Sequence, residues 1–383
     1  MHATSEIKGA PRLVWVWDLP TRLFHWLLVG AVLVALVTEL IAPASWLNWH
    51  VAAGYTIAAL LLFRLVWALF GSEYSRVASF FYRPRQVIDY LRQLLELRPP
   101  HYIGHNPAGA AMIFALFAVL TLLVATGFIV QGGQEKQGAF AGLAGFALGN
   151  NVRGIHNFLA YLLMAMIAAH IAGVVADGRL HKSSLVRAMI TGWKRVPAQL
   201  PVRELRPPRI PAAVLAFAAL FAPAVAALIL LARMPPLGVP AMTPDPVWAK
   251  ECGACHYAFH PSLLPRSSWA ALMADLHDHF GEDASLPPAA AAEIAVFLQT
   301  YAAEDWDTKA ARLLSNVAPT DPLRITAAPF WVRRHRRIDP AIFAAPPVKA
   351  KSNCIACHRD ADTGRFDAQA IVLPNPPVAG APQ

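Results

Sequence analysis

Long, uninterrupted apolar runs dominate the first 231 residues of the chain. Five of them are about 20 residues long or slightly longer, which is the length that an α-helix needs to cross a hydrocarbon core about 30 Å thick. The runs cover residues 23–47, 51–70, 108–130, 157–175 and 211–231. The pattern predicts an all-α membrane protein that begins with a bundle of five transmembrane helices.

The apolar pattern stops after the fifth run. The stretch RMPPLGVPAMTPDP is rich in proline and typical of a linker, and the chain beyond it lacks long apolar runs, as expected of a soluble, mainly helical domain. The predicted organisation is a four-span membrane domain (1–210), a fifth transmembrane helix (211–234), a linker (235–247), a soluble domain (248–370) and a proline-rich tail (371–383).

Lysine and arginine are distributed unevenly among the connections between the runs. Sixteen of them lie in the segments 8–22, 76–98 and 179–209, whereas only Lys136 and Arg153 lie in the connections on the other side. Because cytoplasmic connections are enriched in these residues, the N-terminus is predicted to be cytoplasmic. Five crossings then place the soluble domain on the outer, periplasmic face of a bacterial inner membrane.

Composition agrees with a membrane protein and changes the meaning of the net charge. Hydrophobic residues make up 56% of the chain and the mean hydropathy is +0.41, which is too apolar for a soluble protein. A formal net charge of +9 would suit nucleic-acid binding. From Ala241 onward, however, there are 13 Lys and Arg against 15 Asp and Glu, so the excess lies in the cytoplasmic connections. We predict contact with membrane lipid and no nucleic-acid partner.

All four cysteines lie in two motifs of the same form, CGACH and CIACH. The motifs supply Cys252, Cys255 and His256, and Cys354, Cys357 and His358. The spacing is that of c-type haem attachment, in which both thiols bond covalently to the haem and the adjacent histidine is placed to bind the iron. Zinc and disulfides are the alternatives for paired CXXC motifs. They fit less well because a histidine follows both motifs directly and the outer location disfavours a reduced zinc–thiolate site.

Each of these two haem irons needs a second axial ligand. The candidates before the second motif are His260, His277, His279, His335 and Met273. His260 follows His256 by four residues, so in a helix it would share the same face and reach the opposite side of that haem poorly. We favour His279 and His335. The alternative is that both are exposed polar side chains, which a soluble domain tolerates.

Other histidines lie within or beside the apolar runs, where ionisable side chains are costly and usually functional. His156 and His170 are 14 residues apart, so they share a helix face to within about 40° and differ in depth by about 21 Å. Depth pairs His25 with His170 for an inner b-type haem and His50 with His156 for an outer one, held non-covalently. The alternative is that carbonyl or hydroxyl groups of neighbouring helices satisfy each histidine.

Two charged side chains repeat the spacing of 14 residues. Arg64 follows His50 and is expected at the level of the inner haem, either against a haem propionate or snorkelling to the cytoplasmic interface. Glu39 follows His25 and is expected near the outer haem. It is a candidate proton acceptor, although an interfacial carboxylate is the better interpretation.

Residues 11–200 resemble a known family. The stretches WDLPTRLFHWLL, WHVAAGYTIAALLLFRLVWALFG and GHNPAGA, together with two histidines separated by 13 residues, are similar to bacterial cytochrome b561 and hydrogenase-type cytochrome b. The resemblance implies four helices around two bis-histidine b haems and electron exchange with membrane quinone. The positions that match the ligands of the family are His25, His50, His156 and His170.

Residues 245–360 resemble a second family. The stretches ECGACHYAFHPSLLPRSSWAALMADLHDHFGEDASL and ITAAPFWVRRHRRI are similar to dihaem cytochrome c. The resemblance favours His279 and His335 as distal ligands, without saying which serves which haem. His260 departs from the apolar or proline residue expected at its position.

Together these features predict a four-haem conduit from membrane quinol to a periplasmic redox protein, working as an oxidoreductase or as its electron-transfer subunit. Bis-histidine ligation would leave no open iron position, so any chemistry belongs to quinol and its protons. One alternative is an anchor subunit that passes electrons from a periplasmic dehydrogenase or haem protein to quinone. Another is a superoxide:quinone oxidoreductase, which needs a cationic surface that Lys136 and Arg153 alone support thinly. A homo-oligomer or a larger complex is compatible with each.

Overall fold

The computed structural model describes residues 11–198, 200 and 235–374, with isolated positions between 215 and 230. The fifth predicted span, at 211–234, and the end of the predicted tail lie outside the described residues. The chain divides into two compact units. The first comprises Met1–Ile41, Trp49–Gly127 and Arg153–Ala232, and the second comprises Ala42–Asn48, Phe128–Val152 and Arg233–Gln383.

Four helices of the described part are long and apolar enough to cross a membrane. They are α1 (Leu19–Leu40), α2 (Leu47–Phe70), α4 (Pro107–Val130) and α5 (Phe146–Leu180). Two shorter helices lie between and after them, α3 (Pro84–Leu95) and α6 (Leu185–Thr191). Four of the predicted spans are therefore present as helices.

Side-chain caps fix where two of these helices begin. The Asp18 carboxylate accepts a hydrogen bond from the Thr21 backbone nitrogen at 2.9 Å and starts α1. It also accepts one from Trp67 Nε1 at 3.0 Å, which ties the start of α1 to the end of α2. Asn106, the residue before Pro107, accepts from the Gly109 backbone nitrogen at 2.7 Å and starts α4.

The ends of two spans differ from those predicted. Helix α1 ends at Leu40 and not near residue 47, because Pro43 interrupts it and a 3-10 helix, Ala44–Trp46, follows. Helix α5 begins at Phe146, eleven residues before the predicted start. The apolar run marks only the part suited to the bilayer, whereas the helix continues through polar residues on either side.

The first unit contains one small sheet that the apolar pattern did not predict. Strand β1 (Arg12–Trp15) pairs antiparallel with β2 (Trp193–Val196), with Arg12 opposite Val196 and Trp15 opposite Trp193. Val14, Val16 and Ala188 pack beneath it. The protein is therefore mostly helical, not all-α, because the segments flanking the bundle pair with each other.

All four long helices contribute to the core of the bundle. Its buried side chains are Ala31, Val32, Ile57, Leu61, Val119, Leu120, Leu159 and Leu163. Many large apolar side chains of the same helices point outward, among them Leu33, Leu65 and Phe158. Outward apolar faces are expected where the surrounding solvent is lipid.

The second unit is built from short helices. They are α7 (Pro246–Cys252), α8 (Arg266–Ala274), α9 (Pro288–Thr300), α10 (Lys309–Leu314), α11 (Pro329–His335) and α12 (Pro340–Ala344). Its core includes Trp248, Leu263, Trp269, Ile294 and Leu298. This unit also takes in residues 42–48, which connect α1 to α2, and residues 128–152, which connect α4 to α5. Its limits therefore differ from the predicted domain limits.

Candidate haem-binding histidine pairs

Three pairs of histidine rings lie at nearly the same separation. The ring centroids are 6.2 Å apart for His50 and His156, 6.0 Å for His256 and His279, and 6.1 Å for His335 and His358. A metal–imidazole bond is about 2.0 Å long, so a metal held axially between two imidazoles keeps their centroids about 6 Å apart. The geometry of all three pairs fits an iron between the rings.

The pair on α2 and α5 has its outer ring nitrogens engaged. His50 Nδ1 donates to the Ala35 carbonyl oxygen at 3.0 Å. His156 Nδ1 lies 3.0 Å from Thr126 Oγ1, whose own hydrogen goes to the Leu122 carbonyl oxygen. Both rings therefore carry their hydrogen on Nδ1, which leaves the Nε2 lone pairs for a metal. Among the described residues, neighbouring groups thus bond to Nδ1 of each ring.

The first pair predicted by depth is His25 on α1 and His170 on α5. The two rings are close enough to interact electrostatically, and both side chains are half-buried. His25 Nδ1 is buried without a hydrogen-bond partner. A buried polar atom without a partner is costly in a finished structure, so this site fits a group that the chain itself does not supply.

Arg64 is buried. Its side chain is 6% exposed, its guanidinium lies 5.9 Å from the Phe80 ring centroid, and Nη1 has no hydrogen-bond partner. This burial favours the propionate contact over snorkelling, because an unpaired guanidinium nitrogen fits an anionic group such as a propionate. Arg22 also has a buried, unpartnered Nε, which the spacing of residues did not reveal.

Glu39 lies exposed in the last turn of α1. It makes no hydrogen bond or ion pair with other residues of the described part of the chain. This placement favours the interfacial carboxylate over a proton acceptor held beside His50 and His156.

A polar cluster in the first unit was not predicted. Asp177 accepts hydrogen bonds from the Tyr90 hydroxyl at 2.7 Å and from Asn106 Nδ2 at 3.1 Å. The His181 ring lies beside it and is 4.1 Å from the His101 ring. Asp177, Asn106, His181 and His101 line one small cavity. The only sequence signal was the spacing of four residues between Asp177 and His181, which is too common to predict a site.

In the second unit, the first cysteine motif follows α7. His256 Nδ1 donates to the Tyr257 carbonyl oxygen at 2.8 Å, and its ring is nearly parallel to that of His279. Burial, with His256 nearby, lowers the pKa of His279. A lowered pKa keeps the imidazole neutral at physiological pH, the form that binds a metal.

The other candidates for the distal position near this motif lie elsewhere. His260 is 1% exposed, its Nδ1 lies 2.8 Å from Ser262 Oγ, and its ring packs edge-on against Trp306. It is a core histidine that caps a short 3-10 helix. His277 is largely exposed beside Asp275, and Met273 packs against the hydrophobic core.

The second motif faces the end of α11. His335 Nδ1 donates to the Trp331 carbonyl oxygen at 2.8 Å, and its ring stacks on that indole at 4.2 Å between centroids. Burial, with His335 nearby, lowers the pKa of His358 to about 4. His358 Nδ1 is buried and unpartnered.

Zinc and disulfide bonds find no support in the arrangement of the cysteines. All four thiols are unpaired. Within the described ranges, no three His, Cys, Asp or Glu side chains come close enough to hold a metal ion. Axial pairs suit haem, in which the porphyrin supplies the remaining four ligands of the iron.

Comparison with known families assigns both parts of the chain. Residues 16–192 match the family model of prokaryotic cytochrome b561, and residues 248–366 match that of dihaem cytochrome c. The chain thus combines a cytochrome b561 part with a dihaem cytochrome c part. This confirms the predicted resemblance and implies b-type and c-type haems in an electron-transfer protein of the membrane.

Each individual relative covers only one of the two parts of this chain. A probable Ni/Fe-hydrogenase B-type cytochrome subunit of Bradyrhizobium diazoefficiens is 27% identical over 226 residues, which are 50% of this chain and 90% of that protein. The dihaem cytochrome c of Rhodobacter sphaeroides is 41% identical and covers 33% of this chain and 100% of its own, with a TM-score of 0.29. The dihaem cytochrome c of Shewanella baltica is 31% identical, covering 35% and 95%, with a TM-score of 0.28.

Proposed function

We propose that this protein transfers electrons between membrane quinol or quinone and a redox protein on the periplasmic side, through two b haems and two c haems. The observation that carries the proposal is the recurrence, in one chain, of histidine pairs spaced for an axial metal, one in the bundle and two in the c domain. Haem held by two histidines exchanges single electrons and has no open position for oxygen or substrate.

The ligand assignments are part of this proposal. His25 with His170 would hold the inner b haem, and His50 with His156 would hold the outer one. In the c domain the pairs would be His256 with His279 and His335 with His358, with covalent attachment through Cys252, Cys255, Cys354 and Cys357. Arg64, buried with an unpaired Nη1, would bind a propionate of the inner b haem.

The division of the chain into units supports an outer location for the c domain. The distribution of lysine and arginine predicts that the connections 42–48 and 128–152 lie on the outer side. Both belong to the same compact unit as the c domain. If the c domain packs with connections on the outer side, it lies in the periplasm. That location agrees with covalent haem attachment, which takes place there.

The deciding experiment mixes the oxidised protein anaerobically with a soluble quinol and follows the b and c absorption bands by stopped flow. We expect the b bands to reduce first and the c bands to follow. Haems that stay oxidised with quinol but reduce with a periplasmic donor would reverse the direction of transfer and contradict a quinol-oxidising role.

A second candidate is the anchor subunit that delivers electrons to quinone. It is favoured by the names of relatives such as that of Bradyrhizobium diazoefficiens, a probable hydrogenase cytochrome subunit. In this version a periplasmic dehydrogenase or haem protein is the electron donor and forms a complex with the chain. Co-purification of such a partner, with reduction of the c bands before the b bands, would favour it.

The superoxide:quinone oxidoreductase gains no support. A superoxide-attracting surface needs exposed positive charge near the outer haem. Lys136, one of the two basic residues of the outer connections, is 4% exposed and paired with Asp307 at 2.6 Å.

A further inference from the structure

Four charged side chains join the connection between α4 and α5 to the c domain, within one compact unit. Lys136 Nζ lies 2.6 Å from Asp307 Oδ2, and Lys309 Nζ lies 2.7 Å from Glu135 Oε1. Asp307 Oδ2 also accepts a hydrogen bond from the Phe146 backbone nitrogen at 2.9 Å. We call Glu135, Lys136, Asp307 and Lys309 the ionic clamp.

Three side chains of the clamp are largely buried, whereas Asp307 is 37% exposed, and each acid pairs with a base from the opposite side. The side chains of Lys136, Glu135 and Lys309 are 6%, 13% and 17% exposed. The connection supplies one acid and one base, and so does the c domain. Only one relative position of the two segments forms both ion pairs, and any shift would leave buried charges unpaired. Burial acts to raise the pKa of Asp307, but hydrogen bonds from Lys136 and Phe146 leave it below its ordinary value, which keeps the carboxylate charged.

The backbone that presents Lys136 is unusual. Helix α4 continues into a π-helix, Gln131–Glu135, and Lys136 then adopts a left-handed conformation with φ of 56°. Such conformations are unfavourable for residues other than glycine, and π-helical turns concentrate at functional positions. The Lys136 carbonyl oxygen accepts a hydrogen bond from the Leu237 nitrogen at 2.9 Å, so the proline-rich linker is held at the same residue.

We propose that the ionic clamp holds the c domain in place for electron transfer within the chain, so that the c centres receive electrons from the outer b centre without a free search. The clamp binds the first residue of α5, Phe146, and His156 follows ten residues later, about 15 Å along the helix. The inference rests on the proposed function. One electron leaves the outer b centre, which is oxidised, and reduces a c centre, and no bond forms or breaks.

The test reverses charges in the full-length protein. Asp307→Lys places two lysines together, whereas Lys136→Asp combined with Asp307→Lys restores an opposite pair. We expect Asp307→Lys to slow reduction of the c bands by about tenfold or more. Reduction should not stop, because the linker still tethers the c domain at an effective concentration on the order of mM. The rate of b-band reduction should stay unchanged, and the double variant should recover most of the c-band rate.

A matched control and an independent readout accompany the kinetics. Glu293 is exposed on α9, so Glu293→Lys makes the same kind of charge change away from the clamp and should leave both rates unchanged. Hydrogen exchange followed by mass spectrometry reports docking directly, because the Phe146 amide is bound by Asp307. Peptides covering 137–148 should lose protection in Asp307→Lys. In the double variant they should regain it except at the Phe146 amide, because a lysine at position 307 cannot accept its hydrogen bond.

Two results would overturn the inference. One is unchanged protection in Asp307→Lys, which would mean that the clamp does not hold the c domain. The other is lost protection with an unchanged c-band rate. If quinol fails to reduce the c bands of the unmodified protein, the proposed function fails instead. The role of the clamp is then tested by adding a substoichiometric amount of dithionite to the same variants. The b and c bands report how fast the electrons redistribute between the two kinds of haem.

Discussion

His50 donates its Nδ1 hydrogen to the Ala35 carbonyl oxygen at 3.0 Å, which fixes both the tautomer and the direction of the ring. A free imidazole would rotate and lose side-chain entropy on binding a metal, whereas this ring is already held. His156 is oriented in the same manner by Thr126, and a Cβ at Gly127 would lie 3.3 Å from its Cε1. Neighbouring residues thus hold both rings in orientations that fit one iron between them.

His50→Ala should therefore remove the outer b haem and stop quinol from reducing the c bands. We expect the variant to lose about half of its b-haem absorbance, because two of the four b-haem ligands form this site. Haem content and stopped-flow spectra measure both effects. His101→Ala is the control, since His101 contacts His181 in the polar cluster and neither belongs to a predicted pair. Normal reduction of the c bands in His50→Ala would contradict the pathway.

Residue spacing predicted which histidines of the bundle lie together, because helical rise and rotation fix depth and direction from sequence numbers alone. The sequence could not reveal that His260 is a core residue or that Arg22 Nε is buried without a partner. Both facts depend on residues distant in the chain, such as Trp306 beside His260. The ligand roles themselves stay predictions.

The connection between α4 and α5 is built around close backbone contacts. A Cβ at Gly133 would lie 2.7 Å from the Gly145 carbonyl oxygen and 2.8 Å from Gly149 Cα. A Cβ at Gly132 would lie 2.5 Å from the Phe140 carbonyl oxygen. Only glycine permits such an approach, so these positions shape the platform that carries Glu135 and Lys136.

Gly133→Ala should thus destabilise this element. The added methyl group meets backbone atoms that cannot rotate away, and overpacking of this kind costs about 1–3 kcal/mol. We expect a lower thermal unfolding midpoint and faster hydrogen exchange in peptides covering 131–149. Gly154→Ala is the matched control, because nothing lies within 4 Å of a Cβ there and alanine favours the helix by about 0.5–1 kcal/mol. Equal effects of the two substitutions would argue against the close contact.

At the level of elements, hydropathy predicted the four spans that the structure describes, but it did not predict the residues at which those helices begin and end. The π-helix after α4 and the early start of α5 at Phe146 lie in polar sequence, where the apolar pattern carries no information. The pairing of β1 with β2 was missed for a different reason. It joins strands of four residues each that are far apart in the chain, and neither is long enough to predict from alternation.

In the whole molecule, the second cysteine motif is connected to the turn between α1 and α2, which the distribution of lysine and arginine predicts to lie on the outer side. The 3-10 helix Ala44–Trp46 contacts the 3-10 helix Ala368–Ala370 within the same unit. The latter flanks the motif directly, since the Arg359 nitrogen donates to the Ala370 carbonyl oxygen at 3.1 Å. Along the chain, His50 follows Trp46 by four residues. These links favour the second motif as the place where electrons enter the c domain.

The order can be tested by removing one c haem at a time. Replacing Cys354 and Cys357 by alanine should leave the remaining c haem oxidised, or reduced about tenfold more slowly or worse, after quinol is added, because the nearer acceptor is lost. Replacing Cys252 and Cys255 should leave reduction of the remaining c haem close to the normal rate. Dithionite must reduce the surviving c haem in both variants, which shows that it is attached. The opposite pattern would make the first motif the entry point and would mean that contact between Ala44–Trp46 and Ala368–Ala370 supports the fold without setting the path.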